Sequence, residues 1–204
     1  NRLAFDALVN QARDLSVAHK NAAKLLLLSF ITAMPIKTLI QPLFIATSSL
    51  FIIQKTQVTL SYHLGITPRK IEQSHLVFEN NSDKVSLPLP VALVHHLANS
   101  DNLPNIEADI SQNKINEIAD YLKVLRESLE LPYLSINRIE MALATLLTRY
   151  LAGSHGHIAE LVCRMPAPDA PAMYYSSHAN SEIVEHYIRA LKQLNTQNHL
   201  MFNY

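Results

Sequence analysis

The sequence contains few glycines, one cysteine and no tryptophan. Of its 204 residues, three are glycine. Because β-sandwiches and β-barrels use glycine at their many turns, so low a content excludes them as the main architecture and favours helices. The single cysteine, Cys163, cannot form an internal disulfide. We therefore expect a reduced intracellular setting, the cytoplasm.

Long uninterrupted apolar runs are also missing. The most apolar stretch, residues 25–53, is interrupted by Lys37, Gln41 and two prolines. Two buried elements are therefore expected there rather than a membrane span. The first residues lack the basic and then apolar pattern of a signal peptide. No membrane partner is expected.

The chain has no net charge, since 17 basic side chains balance 17 acidic ones. Neutrality by itself does not indicate a nucleic-acid-binding protein. The charges are unevenly distributed, because residues 1–70 contain eight basic and two acidic side chains and the remainder carries an excess of six acidic ones. This asymmetry fits a basic face on the first third of the chain, and it fits ordinary solvated charges on amphipathic helices equally well.

Hydrophobic periodicity predicts helices in the first part of the chain. Apolar residues at three- and four-residue steps predict a helix over 2–19. A second helix, over 22–34 and capped by Asn21, is apolar nearly all round and is expected at the centre of the core. Pro35 is then expected to open a short helical turn.

The pattern changes to short β-rich runs between residues 43 and 88. The runs 50–53, 58–62, 76–78 and 85–87, with a turn at 80–83, predict a small antiparallel sheet that ends at Pro88 and Pro90. Helices are predicted beyond it at 91–99, 113–129, 136–151, 158–164 and 181–194, with Ser135 capping the third. The fold class is therefore mainly α with a small antiparallel β-sheet (α+β), in one domain over 1–204: helices at 2–41, the sheet at about 43–88 and a helical remainder at 91–196.

Four segments occur in an order that a known family shares. Residues 32–39, TAMPIKTL, resemble T-G-x-R-x-x-E-L, which follows a very apolar helix. Residues 81–93 carry Lys84 and then VSLPLP, which resembles a lysine-bearing β-hairpin with a v-p-l-p exit. Residues 137–147, NRIEMALATLL, resemble H-x-L-R-H-x-x-A-T-x-L, and residues 158–164, IAELVCR, resemble i-x-e-l-L-G-H. Together they resemble the catalytic domain of tyrosine recombinases and phage integrases, over residues 22–194.

The resemblance implies a chemistry and a partner. In this family a tyrosine oxygen attacks a phosphodiester of double-stranded DNA and forms a 3′-phosphotyrosyl link without a metal or other cofactor. Two arginines bind the phosphate, a lysine protonates the leaving oxygen and histidines assist. By the match, Lys84 is the lysine and Arg164 takes a histidine position. Tyr174, ten residues after Arg164, and the adjacent Tyr175 are near the place of the nucleophile.

Two positions depart from the family pattern. Pro35 occupies the place of the first arginine and Glu140 that of the second, while Asn137 occupies a histidine position. Proline has no side-chain donor, and a carboxylate repels phosphate. Because the loss of one preorganised donor costs about 10²- to 10³-fold in rate, we expect impaired catalysis.

Nearby cations leave a rearranged site open. Lys37 and Arg138 each lie two residues from a replaced arginine. Two residues on a helix correspond to about 200° of rotation, however, so Arg138 and Glu140 face nearly opposite ways. The ten histidines show no recognised metal-ligand spacing, and no metal is expected.

Three functions stay open on the sequence. The first is an integrase-like DNA-binding protein of mobile-element type with impaired catalysis. The second is an active recombinase, a DNA strand transferase using Tyr174 or Tyr175. The third is a helical protein-interaction module without a DNA role. DNA binding predicts that basic residues gather on one concave face, namely Arg13, Lys20, Lys24, Lys37, Arg69, Lys70 and Lys84.

The family resemblance also implies features beyond the site. The terminal helix, 181–194, is expected to dock on another copy and so form a homo-oligomer. An N-terminal DNA-binding domain is expected outside this chain, as recombinases carry one.

Overall fold

The computed structural model describes residues 2–13, 19–39, 51–54, 57–63, 84–89, 115–151, 156–163 and 180–194. Within these ranges the chain forms eight helices and three strands. In order they are α1 (Arg2–Arg13), α2 (Lys20–Thr32), α3 (Ile36–Leu39), β1 (Phe51–Gln54), β2 (Gln57–His63), β3 (Lys84–Pro88), α4 (Ile115–Leu129), α5 (Ile136–Glu140), α6 (Ala142–Tyr150), α7 (Gly156–Cys163) and α8 (Asn180–Leu194). The prediction of a mainly α protein with a small antiparallel sheet is confirmed.

The three strands form one antiparallel sheet in the order β1-β2-β3. Leu60 and Tyr62 of β2 and Val85 and Leu87 of β3 are buried. Alternate residues of a strand point to the same face, so this face of the sheet packs on the core. The predicted runs 50–53, 58–62 and 85–87 fall on the three strands. The run 76–78, the turn at 80–83 and the helix 91–99 lie outside the described residues.

Helix α2 is at the centre of the core, as its composition predicts. Every residue from Ala22 to Thr32 is buried, and α2 packs on α1, α4, α5 and α6. The predicted cap at Asn21 is wrong. The N–H of Ala23 donates to the carbonyl of His19 at 2.9 Å, so the helix begins at Lys20 and Asn21 is an exposed residue inside its first turn.

Two buried tyrosines satisfy carbonyl groups at helix ends. The last carbonyls of a helix have no intrahelical donor, and the residue four after Ile31 is Pro35, which has no N–H. The Tyr187 hydroxyl of α8 donates to the Ile31 carbonyl at 3.0 Å. The Tyr62 hydroxyl of β2 lies 3.0 and 3.1 Å from the carbonyl oxygens of Leu161 and Val162 at the end of α7. These contacts join α8 to α2 and the sheet to α7.

The turn between α4 and α5 is held by its own backbone. Glu130 has a positive φ of 54°, and the Leu131 N–H donates to the Arg126 carbonyl at 3.1 Å, the pattern of a Schellman motif. The Arg126 side chain donates to the carbonyl of Leu134. Ser135 then caps α5 by accepting from the Arg138 N–H, which confirms the predicted cap.

Helices α5 and α6 continue one another. The predicted helix over 136–151 is interrupted at Met141, whose φ and ψ are −88° and −1°. Helical hydrogen bonds cross this residue, because the Met141 N–H donates to Asn137 and the Thr145 N–H donates to Met141. The angular positions of side chains therefore continue from α5 into α6.

Within the described residues, no helix is both long enough and apolar enough to cross a membrane.

The hydroxyls of Tyr121 and Tyr187 differ in hydrogen bonding, so their phenylalanine variants are expected to differ in stability. In the described structure the Tyr121 hydroxyl of α4 has no hydrogen-bond partner, and burial raises the pKa of Tyr121. We expect Tyr121→Phe to be neutral or to stabilise the protein by up to about 1 kcal/mol. Tyr187→Phe, which leaves the Ile31 carbonyl unpaired, is expected to destabilise it by about 1–2 kcal/mol. Equilibrium urea unfolding measures both.

The same tyrosine predicts a pH dependence. Because the folded pKa of Tyr121 lies above the unfolded value of about 10, its contribution to stability is complete below that pH and falls as the pH rises. The part of the fall in unfolding free energy that Tyr121 causes is expected to be absent in Tyr121→Phe. If unfolding free energy fell equally steeply with pH in the wild type and in Tyr121→Phe, Tyr121 would not be its cause.

Candidate functional site

Glu140 is in direct contact with the residue that follows Pro35. Glu140 is 104 residues after Ile36, yet its Oε1 accepts a hydrogen bond from the Ile36 backbone N–H at 2.8 Å. Pro35, the residue before Ile36, is exposed, and Glu140 is half-buried. The end of α5 is thereby joined to the start of α3.

The contact satisfies a need that the local sequence creates. The first N–H groups of a helix have no intrahelical acceptor, and a Ser, Thr, Asp or Asn at the N-cap ordinarily supplies one. Pro35 holds that place before α3, since its carbonyl accepts from the N–H groups of Thr38 and Leu39. Its side chain has no oxygen. The Glu140 carboxylate, from a distant helix, accepts from the first of these N–H groups, that of Ile36.

Hydroxyl groups fix the turn that leads into this contact. The Ser29 hydroxyl donates to the Met34 carbonyl at 2.7 Å. The Thr32 hydroxyl donates to the Leu28 carbonyl at 2.7 Å and accepts from the Met34 N–H at 3.3 Å. Ala33 has a φ of 53°, in the left-handed region. Ser29, Thr32 and Ala33 all belong to the end of α2 and the turn after it, so the position of Pro35 is set by the buried helix.

Helix α5 positions Glu140 from the other side. The helix begins at the Ser135 cap, and Ile139 is buried against the core. Helix α5 also packs directly on α2. Both halves of the contact therefore rest on the same central helix, which makes the site an inherent part of the fold.

Arg138 lies on another side of α5 from Glu140. Its guanidinium carbon is 5.6 Å from the centroid of the Tyr133 ring, and both side chains are exposed. In the described structure it forms no ion pair with Glu140. The 200° rotation between the two positions accounts for this arrangement. The sequence offered no signal for the stacking on Tyr133.

Lys37 and Lys84 are the other described members of the expected site. Lys37 is exposed on α3, directly after the residue that contacts Glu140. Lys84 is the first residue of β3 and pairs with His63 in the sheet register. The remaining expected residues, Tyr174, Tyr175, Arg164, Arg69 and Lys70, lie outside the described residues, and their roles stay predictions.

The expected basic face contains at least one residue that is not at the surface. Lys24 is only 2% exposed, so its inclusion in a DNA-facing set is wrong. It lies in the part of α2, residues 22–32, in which every residue is buried. Lys20, one turn earlier, is half-buried. Lys37 is therefore the exposed cation that the described structure places next to Glu140.

Two further findings bear on the site. Among the residues that the structure describes, no group of three or more His, Cys, Asp or Glu side chains could hold a metal ion. Comparison of the chain with known protein families, with curated proteins and with experimentally determined structures finds no match.

The capping role of Glu140 predicts different effects for two substitutions. Glu140→Met removes the acceptor and leaves the Ile36 N–H unpaired, at an expected cost of about 1–2 kcal/mol in unfolding free energy. Glu140→Gln keeps a side-chain oxygen at the same distance, so it is expected to cost less than about half the unfolding free energy that Glu140→Met costs. Denaturant unfolding of both variants compares them. Equal losses would show that the hydrogen bond does not stabilise the fold.

Proposed function

We propose that this chain is a catalytically inactive tyrosine-recombinase-like domain, of mobile-element type, that binds double-stranded DNA. The observation that carries the proposal is the hydrogen bond between Glu140 and Ile36. The family resemblance expects a pair of arginines on one phosphate at positions 35 and 140, and this bond joins Glu140 to the residue after Pro35.

Spatial convergence supports the resemblance on which the proposal rests. Motifs 32–39 and 137–147 were matched separately on short patterns. A chance match would give no reason for positions more than a hundred residues apart to touch, whereas a shared phosphate site requires it. Ala33 adds a second agreement, because it stands where the family motif has glycine and adopts the left-handed φ that favours glycine.

Electrostatics supports the loss of catalysis. A recombinase stabilises the phosphate oxygens with oriented cationic donors. Here the corresponding place holds a carboxylate that already accepts a backbone hydrogen bond, and Pro35 contributes no side-chain donor. A phosphate brought to this point would meet negative charge. The exposed Lys37 beside it can still attract DNA, as a point charge without the bidentate geometry of arginine.

DNA binding through this surface predicts an asymmetric response to charge reversal. In a titration with duplex DNA at two salt concentrations, we expect binding that weakens as salt rises. Lys37→Glu should weaken DNA binding at least several-fold. It should also lower the slope of log affinity against log salt concentration by about one. Lys123→Glu, the same change at an exposed position of α4, serves as the matched control and should have little effect.

Two results would count against this proposal. Absence of salt-dependent binding at micromolar protein would remove the DNA role. The burial of Lys24 favours the remaining candidate in that case, a helical protein-interaction module. Equal effects of Lys37→Glu and Lys123→Glu would place the DNA on a different surface.

A covalent trap separates the proposal from an active recombinase. A nicked suicide substrate retains any 3′-phosphotyrosyl intermediate, because the freed fragment diffuses away and religation fails. We expect no adduct from the wild-type chain on denaturing gels. An adduct that disappears in Tyr174→Phe or Tyr175→Phe would instead establish an active enzyme with a diverged site.

A further inference from the structure

The outer side of α4 carries an acidic stripe with an apolar residue in its middle. Glu117, Asp120, Val124 and Glu127 are all exposed, and Val124 is 48% exposed. Their spacings of three and four residues place them on one side of the helix. Opposite them, Ile118, Tyr121, Leu122 and Leu125 are buried in the core. We call the four exposed residues the acidic stripe.

The outer side of α5 and α6 carries a matching arginine stripe. Arg138 and Arg149 are exposed and eleven residues apart, which corresponds to three helical turns with about 20° left over. They therefore lie on the same side. Met141, 43% exposed, lies between them. No exposed carboxylate occurs among the described residues of α5 and α6.

The charges of both stripes lack ion-pair partners within the described part of the chain. Helix α8 differs, since its Glu185 pairs with Arg189 and its Glu182 lies 4.0 Å from His186. Arg138 has only an aromatic neighbour, Tyr133, over whose ring it is stacked. That contact restricts the arginine before any partner arrives, so less side-chain entropy is lost on binding.

We propose that the acidic stripe of one copy of this chain docks on the arginine stripe of a second copy, in a two-fold symmetric dimer. Glu117 and Glu127 are ten residues apart, or about 15 Å along the helix, and Arg138 and Arg149 are separated by about 16 Å. In antiparallel register Glu127 thus meets Arg138, Glu117 meets Arg149, and Val124 meets Met141. Two-fold symmetry forms the contact twice.

The proposal concerns a different surface from the terminal helix that the resemblance implies. The apolar side of α8 is already buried in its own chain, where Ile183, Tyr187 and Leu191 belong to the core. Lys123 is the one exposed cation near the acidic stripe among the described residues. It lies about 80° round α4 from the stripe's centre, at the edge of the proposed contact.

Charge reversal tests the pairing directly. Sedimentation equilibrium compares the wild type with Arg138→Glu/Arg149→Glu, with Glu117→Lys/Glu127→Lys and with the chain carrying all four changes. Each pair alone sets like charges against each other and should raise the dimer dissociation constant at least about tenfold. The four changes together restore opposite charges and should restore the dimer. An equimolar mixture of the two pair variants should form a heterodimer.

Controls separate association from folding and from DNA binding. Exchanging Glu185 and Arg189 on α8 alters exposed charges outside both stripes and should leave the dimer unchanged. Circular dichroism should show equal helix content in all variants.

A wild-type monomer at high micromolar concentration would overturn the proposal. So would failure of the four-fold variant to recover. A loss of DNA affinity in the arginine variant without a change in sedimentation would assign the stripe to DNA instead. A dimer without DNA binding would leave this inference intact and remove only the proposed function.

Discussion

The central helix α2 ends inside the protein, and the polar backbone groups at that end must find partners there. A buried carbonyl or N–H without a partner costs about 1–3 kcal/mol, so the elements around the end of α2 are constrained to supply donors and acceptors. Tyr187 supplies a donor to Ile31, and Glu140 supplies an acceptor to Ile36. Helices α8 and α5 are fixed in place against α2 by the same need.

Pro35 lies between the two contacts and contributes to neither. It has no N–H to donate to the Ile31 carbonyl, and its side chain has no oxygen to accept from the start of α3. The partners of Ile31 and Ile36 are Tyr187 and Glu140, which lie far along the chain. Replacing Glu140 would therefore alter a structural contact. An arginine at position 140 has no acceptor to offer and would leave the Ile36 N–H without this partner.

Much of this architecture could be predicted from local pattern, and the decisive contact could not. The burial of α2 follows from its continuous apolar run, and the start of α5 follows from the cap at Ser135. The N-terminus of α2 was misplaced because Asn21 is a favourable cap residue, while the structure lets the helix extend to Lys20 without a side-chain cap. The meeting of Glu140 with Ile36 is non-local, because the two residues are 104 positions apart, and no local pattern in the sequence indicates it. The stacking of Arg138 on Tyr133 left no pattern in the sequence.

Helix α5 places one charged residue in a contact with α3 and another at the protein surface. Its last residue, Glu140, turns toward α3 and accepts a hydrogen bond from the Ile36 N–H, whereas Arg138, about 200° away, turns toward solvent. The Arg138 guanidinium, stacked over Tyr133, is therefore directed away from the Ile36 N–H that Glu140 contacts. Ile139, which lies between these two residues in the sequence, is buried and holds α5 in this orientation. A change at Glu140 therefore leaves the arginine stripe in place. The dimer proposed through the arginine stripe therefore does not depend on which side chain occupies position 140.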